Sequence, residues 1–126
     1  MNVVLWILQV LLALAFAAHG YILLVPLTPE IAAQMLMSLP RWFWVFLGIA
    51  EILAAIGLIL PGLTRILPWL VTWAAVGIMI VMISATVFHI ARGEISSAVT
   101  TFVLLILATF VAYARARMLP IRARAL

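Results

Sequence analysis

The sequence predicts an all-α integral membrane protein, a four-helix bundle with antiparallel neighbours. Three observations carry this. Of 126 residues, 70% are hydrophobic and only 8% charged, whereas soluble domains run at about half apolar and about a quarter charged. Mean hydropathy is +1.43. Four apolar stretches each reach the roughly 20 residues that a spanning helix needs, with little chain left over for a soluble domain. The chain reads as a single transmembrane domain.

The first span covers about residues 3–24. It is too long for a signal peptide and has no basic leading segment, so it reads as a retained helix. Thr28 followed by Pro29 is a helix start, with Thr as N-cap and Pro at the first helical position. Ile31, Met35, Leu36 and Leu39 then recur at helical spacing. This helix is too short to span and reads as interfacial or as a cap on the bundle.

Pro40 opens the second span, 41–60, and Pro61-Gly62 reads as the tight turn that ends it. The third span, 67–91, has Pro68 in its first turn. Arg92-Gly93-Glu94 is a short reversal with glycine at the left-handed C′ position. The fourth span covers 95–113. Residues 114–126 form a basic tail.

Charge placement sets orientation. There are seven arginines, no lysine and three acidic residues, giving a net charge of +4. The arginines do not point to nucleic acid. Arg115, Arg117, Arg122 and Arg124 follow directly on a span, where they suit anionic headgroups. With four spans, Arg65 and the tail share one side, and Arg41 and Arg92 the other. Five against two places both termini in the cytoplasm, in an inner membrane. Trp6, Trp69, Trp73 and Tyr113 read as the aromatic belt of one interface, and Tyr21, Trp42 and Trp44 as that of the other. Short connections force the second, third and fourth spans into antiparallel neighbours.

Cysteine is absent, which excludes thiolate nucleophiles and Cys-ligated clusters. No phosphate loop, nucleophile triad or metal-spacing motif appears.

Glu51 is the best pointer to function. A carboxylate at bilayer depth must be protonated, paired or turned into protein. Gly48, Ala54 and Ala55 share its face and permit close packing, so Glu51 is expected to face the bundle interior. It either hydrogen-bonds a neighbouring group or serves as a ligand or proton site.

His19 and His89 lie near the outer ends of the first and third spans, at depths that agree within about one turn. Each is either a hydrogen-bonded interior histidine or part of a site. The sharper expectation is one ligand-binding cavity lined by Glu51, His19, His89 and Arg41 and walled by Trp42, Trp44, Phe46 and Phe88. It would suit an amphipathic ligand with a polar head, a quinone or a lipid-like molecule.

A bis-histidine haem is disfavoured, because one pair builds no transmembrane relay. A metal on His19, His89 and Glu51 is also disfavoured, because Glu51 counts as about 7–12 Å too deep by helical rise. Gln9 and the hydroxyls of Ser96, Ser97, Thr100, Thr101 and Thr109 read as interhelical or backbone hydrogen-bonding groups. Gly20, Gly48, Gly57 and Gly77 read as close-packing points.

The run from Gly48 through Glu51 and Gly57-Leu58 to Pro61 resembles the second span of DoxX-like membrane proteins. The stretch holding Met82, Ala85, His89, Arg92, Gly93 and Glu94 is similar to that family's next span and exit turn. Ala18-His19-Gly20 resembles its first-span end. A lysine often follows that glycine in the family. It is missing here, and His19 precedes the glycine instead. The resemblance covers about residues 5–115.

The resemblance implies a four-helix membrane bundle. The family name comes from subunits of a quinol-oxidising or thiosulfate:quinone system, and other members associate with membrane redox proteins or act as helpers of other membrane proteins. With no complete catalytic constellation, a basic tail and an apolar surface in this sequence, three functions are expected as alternatives. The first is an accessory subunit of a redox or energy-converting complex, holding quinone or lipid near Glu51. The second is a quinone-linked oxidoreductase subunit using Glu51 for proton transfer. The third is a proton-coupled transporter acting as an oligomer. Expected partners are membrane lipids and either another membrane protein or further copies of the chain.

Overall fold

The computed structural model describes residues 1–26 and 28–124, with backbone alone at Leu36. Leu27, the Leu36 side chain and the last two residues of the tail lie outside the described residues. Five α-helices follow in chain order: α1 (Asn2–Leu24), α2 (Pro29–Ser38), α3 (Arg41–Thr64), α4 (Leu70–Ala91) and α5 (Ile95–Tyr113). A π-helical turn, Ala114–Met118, prolongs α5. Four of these rods are long and apolar enough to cross a membrane: α1, α3, α4 and α5 with its extension. The protein is a multi-pass membrane protein.

Helix α1 packs along α3, α3 along α4, and α4 along α5. The ring closes only weakly between α5 and α1. Burial on α5 shows where. Ala108, Val111 and Ala112 are buried near its end, while its first half buries only Ala98. The core gathers Leu12 and Phe16 of α1, Ala55 and Leu58 of α3, Ile78 and Met82 of α4, and the buried end of α5. The bundle is thus tight at the end that carries the termini and splayed at the other. Almost every other large apolar side chain faces outward, as hydrocarbon solvent allows.

Helix α2 starts as its sequence predicts. Thr28 caps it by accepting from the Ile31 N–H at 3.2 Å, and Pro29 opens the first turn. It leans on α3, where the Trp44 indole N–H donates to the Met35 carbonyl at 2.8 Å. Trp44 is therefore an internal strut rather than a belt residue.

Two boundaries differ from expectation. Pro61-Gly62 does not end α3, which continues to Thr64. Pro61 gives up the hydrogen bond back to Gly57 and its ring crowds that carbonyl, a cost of about 3 kcal/mol in a helix interior, yet the helix runs on past it to Thr64. The reversal comes at Arg65 and Leu67, both with positive φ, 59° and 50°. Helix α4 accordingly begins at Leu70, with Pro68 outside it. At the next reversal Gly93 has φ 73°, the left-handed conformation that glycine adopts without a Cβ penalty.

The tail is not a free basic segment. Arg124 N–H donates to the Arg65 carbonyl at 2.7 Å, and Arg65 Nε donates to the Arg122 carbonyl at 3.1 Å. Arg115 is buried. Gly77 is no packing point, since nothing lies within 4 Å of where its Cβ would stand.

Candidate functional site

The site grows from a seam of small residues between α1 and α3. A Cβ on Gly20 would stand 2.8 Å from the Gly48 carbonyl oxygen, and one on Gly48 would stand 2.9 Å from that of Gly20. Only glycine at both positions lets the backbones approach so closely. His19 precedes Gly20 on α1. Glu51 stands almost one turn beyond Gly48 on α3.

The seam brings these two side chains together. His19 Nδ1 and Glu51 Oε1 are 2.6 Å apart. This corrects the depth estimate that placed Glu51 out of reach of the histidine. Two effects close that gap. Gly20 lies against Gly48, Glu51 and Ile52, so α3 begins roughly a turn further out than α1 ends. In addition, helical side chains lean toward their own N-terminus. In an antiparallel pair the His19 and Glu51 side chains therefore lean toward each other.

The Glu51 side chain is 2% exposed, and that of His19 is 56% exposed. Glu51 Oε2 is buried and has no hydrogen-bond partner. The imidazole gives the buried acid a partner inside the bundle, as an acid at bilayer depth requires. Among the described residues no group of three or more His, Cys, Asp or Glu converges.

A cavity of about 870 Å³ opens beside the pair, and His19, Glu51 and His89 all belong to its wall. It occupies the splayed half of the bundle. Phe16 and Leu23 come from α1, Met35 from α2, Phe43 and Trp44 from α3, and Phe88 from α4. The α5 side is hydroxylated, with Ser96, Ser97, Thr100 and Thr101. Trp42 and Phe46, expected in the wall, point outward instead, 70% and 64% exposed.

His89 does not meet Glu51 directly. Its Nδ1 lies 3.1 Å from Glu94 Oε1, and Arg92 Nε donates to the same oxygen at 3.1 Å. These partners hold the Glu94 carboxyl below the usual carboxylate range, the His89 hydrogen bond being the largest cause. Arg41 is absent from the cavity wall. Its Nη1 and Nη2 donate to the Leu23 and Leu24 carbonyls at 2.9 and 2.6 Å. It caps the C-terminal end of α1, where orphan carbonyls and the negative end of the helix dipole favour a cation.

The hydroxyls on the α5 side were read as interhelical or backbone partners, and two of the four in the wall donate to backbone. Thr100 and Thr101 donate to the carbonyls of Ser96 and Ala98. Their place in the wall was still legible, since Ser96/Thr100 and Ser97/Thr101 repeat at four-residue spacing along one stripe. Thr86 on α4 joins them through Thr101, 2.8 Å away.

A second polar cluster lies at the opposite end. Gln9 Nε2 donates to the Leu58 carbonyl at 2.7 Å, and Arg115 Nε donates to Gln9 Oε1 at 2.7 Å. Trp6, read as a belt residue, lies under the Arg115 guanidinium at 5.5 Å.

No curated protein and no solved structure matches the chain. A sequence model of the DoxX-like family matches residues 7–111. That range contains the glycine seam, the His19–Glu51 pair and the cavity between them and α5. The chain belongs to the DoxX-like family.

Proposed function

We propose that the protein holds an amphipathic ligand with an uncharged polar head, a quinone or a lipid-like molecule, in the cavity beside His19 and Glu51. It does so as an accessory subunit of a membrane redox or energy-converting complex. It sits in an inner membrane with both termini cytoplasmic, the side favoured by five arginines against two.

The observation that carries this reading is the His19–Glu51 contact at 2.6 Å in the wall of an 870 Å³ cavity. Apolar and aromatic walls with a few convergent polar groups are the usual make-up of a small-molecule site. The buried acid is taken up by the imidazole, and the one arginine expected in the wall, Arg41, is occupied at α1. No fixed positive side chain is left there to hold a phosphate or carboxylate head. Carbonyls and hydroxyls match the imidazole, the carboxyl and the α5 hydroxyls.

A second reading has its own support. His19 is open to the cavity and touches an acid that is otherwise sealed, so a proton from a bound quinol can reach Glu51 through the imidazole. In that reading the protein is the proton-handling subunit of a quinone-linked oxidoreductase, and the electrons pass to its partner.

The test is a lipid extract of the chain purified in mild detergent. Co-purifying quinone is expected, and its loss in the His19→Leu/Glu51→Leu double variant. An extract with no quinone and no lipid species that the double variant loses, together with no binding of added decylubiquinone, overturns the reading. Glu51→Gln separates the two roles. It retains the ligand in both, and slows quinone turnover by the host membrane only in the second.

A further inference from the structure

Among the described residues Arg115 is a buried cation without a counter-charge. Its side chain is 5% exposed. Nε donates to Gln9 Oε1, and Nη1 donates to Asn2 Oδ1 at 2.8 Å and to the Leu119 carbonyl at 2.9 Å. Nη2 is buried and carries no hydrogen bond. Every one of these partners is neutral. The chain has only three acidic residues. Glu51 is paired with His19, Glu94 sits in the α4–α5 turn, and Glu30 in the first turn of α2. None is within reach. Arginine does not escape by losing its proton, and a charge withdrawn from water calls for an opposite one.

An independent observation points to the same place. Arg115 forms part of the wall of a crevice of about 410 Å³. Across from it stand Pro68, Trp69, Thr72 and Trp73, the start of α4, and the tail closes it with Pro120 and Ile121. Helix α4 has 22 residues, and the positive end of its dipole lies beside the crevice. The Leu70 and Val71 N–H groups already donate to the Leu67 and Pro68 carbonyls, while Thr72 stands in the wall. A guanidinium and a helix N-terminus thus face one small space, and both favour an anion. Trp69 and Trp73 are exposed on the outer side of α4, as interfacial tryptophans are.

We propose that this crevice binds the phosphate of an anionic phospholipid headgroup, with Arg115 as counter-ion and Thr72, in the first turn of α4, as second contact. Nη2 is sealed off, so Arg115 acts on the phosphate through its positive charge from the crevice wall rather than through that nitrogen. The membrane-facing tryptophans make a lipid the source of that phosphate, rather than phosphate dissolved in water.

Native mass spectrometry of the detergent-purified full chain, doped with phosphatidylglycerol or phosphatidylcholine, tests this. Retention of phosphatidylglycerol should exceed that of phosphatidylcholine by roughly fivefold or more. Arg115→Gln should lose the preference. Should that variant not fold, Thr72→Glu decides. It places a carboxylate in the crevice at a helix start that favours acids, and should fold while losing the preference. Equal retention of both lipids by the wild-type chain, or an undiminished preference in Thr72→Glu, overturns the site. A rise in the thermal midpoint with inorganic phosphate and none with phosphatidylglycerol keeps the anion site and assigns its phosphate to water.

Discussion

Gly20 and Gly48 touch backbone to backbone, and the His19–Glu51 hydrogen bond exists because they do. Any side chain at Gly20 meets the Gly48 carbonyl oxygen at 2.8 Å and Ile52 Cγ1 at 2.9 Å. Ile52 Cγ1 is bonded to the Cβ of a β-branched side chain that is stiff in a helix, and the carbonyl cannot yield without moving α3. Gly20→Ala should therefore cost about 1–3 kcal/mol, the usual range for overpacking. Thermal unfolding in detergent measures it. Gly77→Ala is the control, because open space surrounds Gly77. It should be neutral or slightly stabilising, since alanine is the better helix former.

The His19–Glu51 pair separates stability from ligand binding. His19→Ala leaves a buried carboxyl with neither oxygen bonded and should destabilise by about 1–3 kcal/mol. Glu51→Gln keeps a donor for the imidazole and should change stability by less than about 1 kcal/mol. The double change to leucine removes both polar partners together, which is often close to neutral, yet it should abolish ligand retention. Chemical unfolding and lipid extraction on the same samples check all three. A double variant that unfolds outright would mark the pair as mere scaffolding.

The α4–α5 turn should loosen in acid. The folded-state pKa of Glu94 is depressed by His89 first, and also by Arg92. A depressed acid contributes stability that is fully present above its unfolded value, about 4.3, and is lost as pH falls through the lower folded value. The window thus lies below about pH 4.3. Glu94 is exposed, so the effect is small and screened by salt. Thermal midpoints followed from pH 6 to pH 3 should fall in the wild type and fall less in Glu94→Gln.

Most of the architecture was legible because it depends on run length and composition. Four stretches of about 20 apolar residues permit little besides four spans. The Thr28-Pro29 start and the left-handed Gly93 carry local chemistry that no packing overrides. Pro61 misled because the local cost of an interior proline is overridden here, and α3 continues to Thr64. The site was half legible. Glu51 announced itself as an acid among small residues, but depth counted from helix ends hid its contact with His19. Helix offset and side-chain lean are tertiary facts. Arg41 looked like a cavity residue by position and proved to be a helix cap, a role set by where α1 happens to end. Arg115 looked like one of four tail arginines. Nothing local distinguishes it from Arg117, and only the π-helical turn and Gln9, 106 positions away, draw it inside.

Gln9 should be the residue on which the closed end of the bundle depends. It donates to the Leu58 carbonyl at 2.7 Å and accepts from Arg115 Nε at 2.7 Å, so it ties α1 both to α3 and to the turn after α5. The Leu58 carbonyl lies within a helix and has other means of satisfaction, whereas Arg115 Nε has none. Gln9→Leu should therefore cost about 1–3 kcal/mol through the orphaned guanidinium. Gln9→Glu removes the donor to Leu58 but gives Arg115 an anion at the same distance. A charge-assisted hydrogen bond is about twice as strong as a neutral one, so this variant should match or exceed the wild type at neutral pH. It should also retain less phosphatidylglycerol, because its own carboxylate supplies the counter-charge. Unfolding midpoints for the two variants in one detergent, read beside their lipid retention, decide the point. Gln9→Glu falling as far as Gln9→Leu would mean that Arg115 does not lack a counter-charge.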